Sequence, residues 1–156
     1  MDWKRSLGMS PNTERATILV VDDSTVDRVL MSIALVEKGY RVLEAASGDA
    51  GLTIFKHYPS VIDLIVTDLM MPGMNGVEFF RNVRKLSSQP KVIFISGCKP
   101  QFFGNKNLYV SDLVVKSDDC ARLVQKVREV LDHDGMILNV LDTCLVGNRR
   151  ESEYAH

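Results

Sequence analysis

The sequence predicts an α/β protein, a doubly wound five-stranded parallel sheet with helices on both faces. Three observations predict it. Short, β-branched, almost wholly apolar runs of strand length recur along the chain, as suits strands buried on both faces. Stretches with apolar residues at helical spacing alternate with them. The apolar runs also end on acids, a serine and a lysine, the kind of residue that lines a crevice at the carboxyl ends of parallel strands. Alternating strands and helices require right-handed crossovers, which place helices on both faces of the sheet. The common order for five such strands is 2-1-3-4-5.

Taken in order, residues 1–15 are polar and irregular, with Pro11 and Asn12 as breakers and Trp3 as the one large apolar anchor, and read as a flexible arm. Residues 16–134 form the folded domain. Thr17 to Val21 is the first strand, ending on Asp22 and Asp23. Ser24 caps a helix whose apolar positions Val26, Val29, Leu30, Ile33 and Ala34 recur at helical spacing, and Gly39 terminates it. Arg41 to Ala45 gives the second strand, and Ser47-Gly48 opens a helix carrying Ala50, Ile54 and Phe55 that ends near Pro59. Val61 to Thr67 is the third strand, which stops on Asp68. The residues Pro72, Gly73, Asn75 and Gly76 are loop formers that cannot extend it. Met74 to Leu86 follows as a helix with Val77, Phe80 and Val83 turned inward.

Lys91 to Ile95 is the fourth strand, ending on Ser96 and Gly97. Lys99-Pro100, Gly104 and Asn105 interrupt the next helix, so a short or distorted one is expected. Asp112 to Val115 is the fifth strand and ends on Lys116; Ser117 or Asp118 then caps a helix burying Cys120, Val124, Val127 and Leu131. Residues 135–156 form an extension. In it Met136, Ile137, Val140, Leu141, Cys144 and Leu145 share one face of a short amphipathic helix opposite Asn139, Asp142 and Thr143, before a polar, frayed end.

Composition narrows the function. With 156 residues, 46% hydrophobic and 25% charged, the chain has the makings of one soluble domain with a proper core. A net charge of -1 gives no basic surplus for direct nucleic-acid binding. No apolar run approaches the roughly 18 residues of a membrane span, and the N-terminus lacks the apolar core of a signal peptide, so a cytoplasmic protein without membrane insertion is expected. Cys98, Cys120 and Cys144 lack metal-ligand spacing and read as reduced thiols.

In the order 2-1-3-4-5 the crevice collects residues from strands 1, 3, 4 and 5, while strand 2 lies at the far edge. The strand ends agree: Asp22-Asp23, Asp68, Ser96 and Lys116 on the four, Ala45-Ala46 on strand 2. Three converging carboxylates repel one another unless a cation sits among them, and hard oxygen ligands of this kind suit Mg2+. Beside such an ion Asp68 stays ionised, as a nucleophile toward phosphorus must. Ser96 and Lys116 can then hold oxygens of a phosphoryl group.

From Thr17 to Asp132 the chain resembles the receiver domains of two-component response regulators, the CheY-like branch of the flavodoxin-like fold. The resemblance rests on Val21-Asp22-Asp23-Ser24, on Asp68-Leu69-Met70-Met71-Pro72-Gly73-Met74-Asn75-Gly76, on Ile95-Ser96-Gly97 and on Val115-Lys116. It implies that Asp22, Asp23, Asp68 and the backbone carbonyl of Met70 hold Mg2+. It implies that Asp68 accepts phosphoryl from a histidine kinase or a histidine phosphotransfer protein, and that Ser96 and Lys116 bind the transferred group. The protein would be a switch that catalyses only its own phosphorylation and dephosphorylation, acting on a downstream target protein, with a homodimer among the assemblies open to it. The chain is expected to act as a single-domain regulator, either a phosphorelay intermediate or a direct effector.

The chain departs from the family at Ser117, where proline usually follows the lysine, at Leu113, where an aromatic is common, and at Tyr109-Val110, where many relatives have Gly-Ala. A cis peptide after Lys116 is disfavoured, because a non-proline cis bond costs about 2.5 to 4 kcal/mol. These departures shift the expected readout toward reordering of Cys98 to Ser111, where Phe102 and Phe103 either form an exposed partner-binding patch or pack on the core. They also leave an alternative, a receiver-like interaction module that works without phosphorylation. An aspartate-nucleophile phosphatase of the dehalogenase type fits less well, since Met70 stands where its second Asp belongs. A flavin protein of this fold fits less well too, since Asp22, Asp23 and Asp68 would repel the flavin phosphate.

Overall fold

A computed structural model describes residues 16–97 and 120–132 in full and the backbone of 113–115. The sheet order is β2-β1-β3-β4-β5, all parallel, with β1 at Thr17–Val21, β2 at Arg41–Ala45, β3 at Ile62–Asp68, β4 at Lys91–Ser96 and β5 at Leu113–Val115. The helices among the described residues are α1 (Thr25–Glu37), α2 (Gly48–His57), α3 (Gly76–Leu86) and α4 (Cys120–Asp132). This is the expected doubly wound architecture. The N-terminal arm, Cys98 to Ser111 with Phe102 and Phe103, Lys116 with Ser117, and the C-terminal extension lie outside the described residues.

The alternation of side chains along each strand divides the core in two. Ile18, Val20, Leu64, Val66, Ile93 and Ile95 face Met31 and Leu35 of α1 and Leu123, Val124 and Val127 of α4. Leu19, Val21, Ile65, Val92 and Phe94 face Phe55 of α2 and Phe79, Phe80 and Val83 of α3. The central strands are therefore buried on both faces, which is why they read as unbroken apolar runs. One irregularity interrupts the ladder: the β1–β3 register shifts between Thr17 and Ile18, so that Thr17 pairs with Ile62 and Ile18 with Leu64. Asp63, skipped by the shift, accepts a hydrogen bond from the Thr17 N–H at 2.8 Å.

Local signals set the helix starts. Ser24, Ser47 and Asn75 each accept from a backbone N–H in the first turn of the helix they cap. At α3 the cap is reciprocal: Asn75 Oδ1 accepts from Glu78 N at 2.9 Å, and Glu78 Oε2 from Asn75 N at 3.2 Å. The helix thus begins at Gly76 rather than Met74, and Met74 and Asn75 belong to the loop after Asp68. The third strand likewise starts one residue later than expected, at Ile62, leaving Val61 exposed, and runs on to include Asp68.

The facing of α1 is not the one its apolar period suggests, and the expected buried set of α4 needs correction. The periodic set on α1 does not enter the core: Val26, Val29, Leu30 and Ile33 are exposed and Ala34 is half-buried, while Met31, Ser32 and Leu35 point inward. On α4, Leu123 joins Val124 and Val127 in the core, whereas Cys120 and Leu131 are only half-buried. On α3, Phe79 is fully buried beside Phe80 and Val83, and Val77 is half-buried.

Candidate functional site

β1 stops at Val21, so Asp22 and Asp23 begin the turn into α1, at the carboxyl end of a central strand. Backbone and side-chain hydrogen bonds together hold the turn. Asp22 N donates to Ala45 O at 3.1 Å, Ser24 N donates to Asp22 Oδ1 at 2.9 Å, and Arg28 Nη1 donates to Asp22 O at 2.7 Å. Arg28 Nε also lies 3.6 Å from Glu44 Oε1 on β2, tying the first turn of α1 to the edge strand. Asp22 is wholly buried; Asp23 is exposed at the mouth.

Asp68 is the last residue of β3, pairs with Ile95 of β4 and is buried. Its carboxylate Oδ1 accepts from Met70 N at 3.1 Å, which folds the next residues back over it. Leu69 N donates to Ile95 O at 2.9 Å, and Gly76 N to Leu69 O at 3.0 Å, closing the loop. Gly76 is forced by this closure, because a Cβ there would overlap the carbonyl oxygen of Asp68. Gly73 adopts φ 74 at the loop's outer turn, where its lack of a side chain removes the steric penalty.

The three acids meet. One carboxylate oxygen from each of Asp22, Asp23 and Asp68 lies within 4.8 Å of the others. Ser96, buried at the end of β4, pairs in register with Val115 of β5, and the next residue in the chain is Lys116. Of the residues singled out in the sequence, Asp22, Asp23, Asp68 and Ser96 thus sit at the carboxyl ends of neighbouring strands. Met70 joins them through its backbone while its side chain stays exposed. Lys116 lies outside the described residues. The donor set is all hard oxygen, and two of the three carboxylates are buried. A divalent cation of the Mg2+ type fits it.

Sequence reasoning passed over Arg28 and Gly76. Arg28 had no signal, since an arginine in the first turns of a helix is usually solvated. Gly76 was visible only as a loop former, although a glycine following the N-cap of a helix is a hint that backbone passes close by.

Comparison with known proteins gives a consistent result. A family model described as the response regulator receiver domain matches residues 18–128. The autoinducer 1 sensor kinase/phosphatase LuxN of Vibrio campbellii is 35% identical over 105 residues, covering 62% of this chain and 12% of LuxN. The sensor kinase CckA of Brucella abortus is 34% identical over 120 residues, 75% of this chain and 13% of CckA. The chain therefore spans about an eighth of the length of these two relatives. Among solved structures, the response regulator TrrA of Thermotoga maritima, in complex with Mg2+ and BeF, superposes with a TM-score of 0.64 at 31% identity, over 74% of this chain and 99% of that one.

Proposed function

The chain belongs to the response regulator receiver domain family, and from that premise we propose that it is a phosphoryl-accepting switch whose acceptor is Asp68. The observation that carries this reading is the convergence of Asp22, Asp23 and Asp68 within 4.8 Å at the carboxyl ends of adjacent strands, with Ser96 buried on the next strand.

Asp22, Asp23 and Asp68, with the carbonyl of Met70, would hold Mg2+, which supplies neutralising charge for the phosphoryl oxygens when bound. The chain's own groups do the rest. The N–H of Met70, bonded to Asp68 Oδ1, fixes the carboxylate's orientation so that its other oxygen is presented to the pocket. That oxygen attacks phosphorus, an O–P bond forms, and the P–N bond of a phosphohistidine breaks, with the imidazole nitrogen leaving and taking a proton. The hydroxyl of Ser96 and the ammonium of Lys116 bind the phosphoryl oxygens. Hydrolysis by an in-line water returns Asp68 to its carboxylate and releases inorganic phosphate. The catalytic work is limited to these two steps.

The donor would be a histidine kinase or histidine phosphotransfer protein, and the phosphorylated form would bind a downstream protein, in the cytoplasm. Among the described residues no helix is long and apolar enough to cross a membrane. A module that ignores phosphorylation has no use for three converging carboxylates, which would raise its folding cost without return. The test is transfer from a labelled phosphohistidine protein to the full chain. Label that appears in an Mg2+-dependent manner and is cleaved by hydroxylamine, as an acyl phosphate is, supports the reading. Label that survives Asp68→Asn overturns it.

A further inference from the structure

Asp22 and Asp23 are aimed by the peptide planes on either side of them, because an aspartate has only two side-chain torsions with which to redirect its oxygens. Two peptides therefore matter, the one joining Val21 to Asp22 and the one joining Asp22 to Asp23. The first is fixed by the sheet, since Asp22 N donates to Ala45 O at 3.1 Å where the β1–β2 ladder ends. The second lies beyond the last residue of β1, and there a side chain takes over: Arg28 Nη1 donates to Asp22 O at 2.7 Å. That oxygen belongs to the peptide between the two acids, so the bond sets the direction of both.

Arg28 is itself held. Its Nε lies 3.6 Å from Glu44 Oε1, and its side chain is only 14% exposed. Glu44 pairs in register with Val20, whose side chain faces α1 and α4, so the carboxylate stands on the α1 side of the edge strand β2. Neither ordinary reason for a helix arginine accounts for this one. A cation in the first turn opposes the helix dipole, and a partly exposed ion pair at this distance adds little stability. A guanidinium beside a pocket suited to a divalent cation also repels that cation. What its planar fork offers is geometry, one nitrogen for the carbonyl and another for the carboxylate.

We propose that Arg28 is the positioning residue of the cation site. Braced by Glu44, it fixes the peptide between Asp22 and Asp23, and with it the direction in which these two carboxylates meet that of Asp68. It thereby sets the affinity for Mg2+ through the backbone. The inference rests on the reading of the three acids as a Mg2+ site, and not on phosphoryl transfer to Asp68.

The test is calorimetric titration of the full chain with MgCl2, with unfolding in EDTA as the separate measure of fold stability. Arg28→Lys keeps the charge but has one nitrogen where two are needed, and it weakens Mg2+ binding by about 10-fold or more, as loss of a group that orients metal ligands does. Arg28→Gln weakens it as well, although relief of charge repulsion alone would tighten it, so the sign separates positioning from field. Glu44→Gln, at an exposed position, weakens binding more in the wild-type chain than in Arg28→Gln, where the brace has nothing left to hold. Wild-type affinity in Arg28→Lys, tighter binding in Arg28→Gln, or equal effects of Glu44→Gln in the two backgrounds overturns the inference. So does a loss of stability in EDTA with an unchanged Mg2+ constant, which is what a purely structural role gives. A wild-type chain that binds no Mg2+ overturns the reading of the acids and the inference with it, whereas one that binds Mg2+ without accepting phosphoryl bears on the acceptor role alone.

Discussion

At the residue scale, Gly76 and Asn75 show how little freedom the loop over Asp68 has. Gly76→Ala pushes a methyl group into the Asp68 carbonyl, so we expect a stability loss of about 1 to 3 kcal/mol by denaturant unfolding, the range for overpacking, together with weaker phosphoryl acceptance. Asn75→Ala removes one half of the reciprocal cap and should cost about 1 kcal/mol, with the same unfolding measurement as the check. The site acids were legible in the sequence because a strand of a parallel sheet has one functional end, and an acid on that end has few other reasons to be there. Arg28 was not, because its partner is the backbone carbonyl of Asp22, and no residue-type pattern reports a backbone acceptor.

At the scale of elements, the period of an apolar pattern gave the helices, and in α1 it did not give the facing. That helix has two apolar faces, Met31 with Leu35 and Val26 with Leu30 and Ile33, and periodicity alone cannot rank them. The sheet decides, since only the first set meets Ile18, Val20 and Leu64. On the other side of the sheet, Phe79 is wholly buried among the residues of α2, α3 and the strands, and Phe79→Ala should cost about 3 to 5 kcal/mol in unfolding free energy. The junction of α1, β2 and α4 carries a pH signature. Burial pushes the Tyr40 phenol above its ordinary 10.0, against the opposing pull of Arg128. The folded state therefore keeps a proton that the unfolded chain loses first. The stability this contributes is full below pH 10.0 and declines as pH rises from there through the raised folded value. Wild type minus Tyr40→Phe, followed by unfolding free energy against pH, should show that decline; a flat difference would place Tyr40 outside the account.

At the scale of the whole molecule, the site is assembled from segments some fifty and seventy residues apart, Asp22 with Asp68 and Ser96, that only the order 2-1-3-4-5 brings together. That order was legible because five alternating units leave few topologies open, and the apolar runs of β1, β3 and β4 marked their burial on both faces. The β1–β3 register shift at Asp63 was not legible, since a polar residue within a strand reads as solvent-facing alternation. Because the carboxylates repel in the free protein, Mg2+ binding should stabilise the fold by mass action, by about 2.7 kcal/mol at a hundredfold excess over the dissociation constant. Asp22→Asn should reduce this gain, and in chelator should leave the protein as stable as wild type or more so, as read by thermal unfolding with and without the ion.

The central claim is tested most directly by mass spectrometry of the full chain after incubation with Mg2+ and either acetyl phosphate or a phosphorylated histidine phosphotransfer domain, followed by borohydride reduction and peptide mapping. The account predicts one phosphoryl group per chain, dependent on Mg2+, with the reduced residue at position 68. Phosphoryl found on another residue, retained in Asp68→Asn, or absent with both kinds of donor would contradict it.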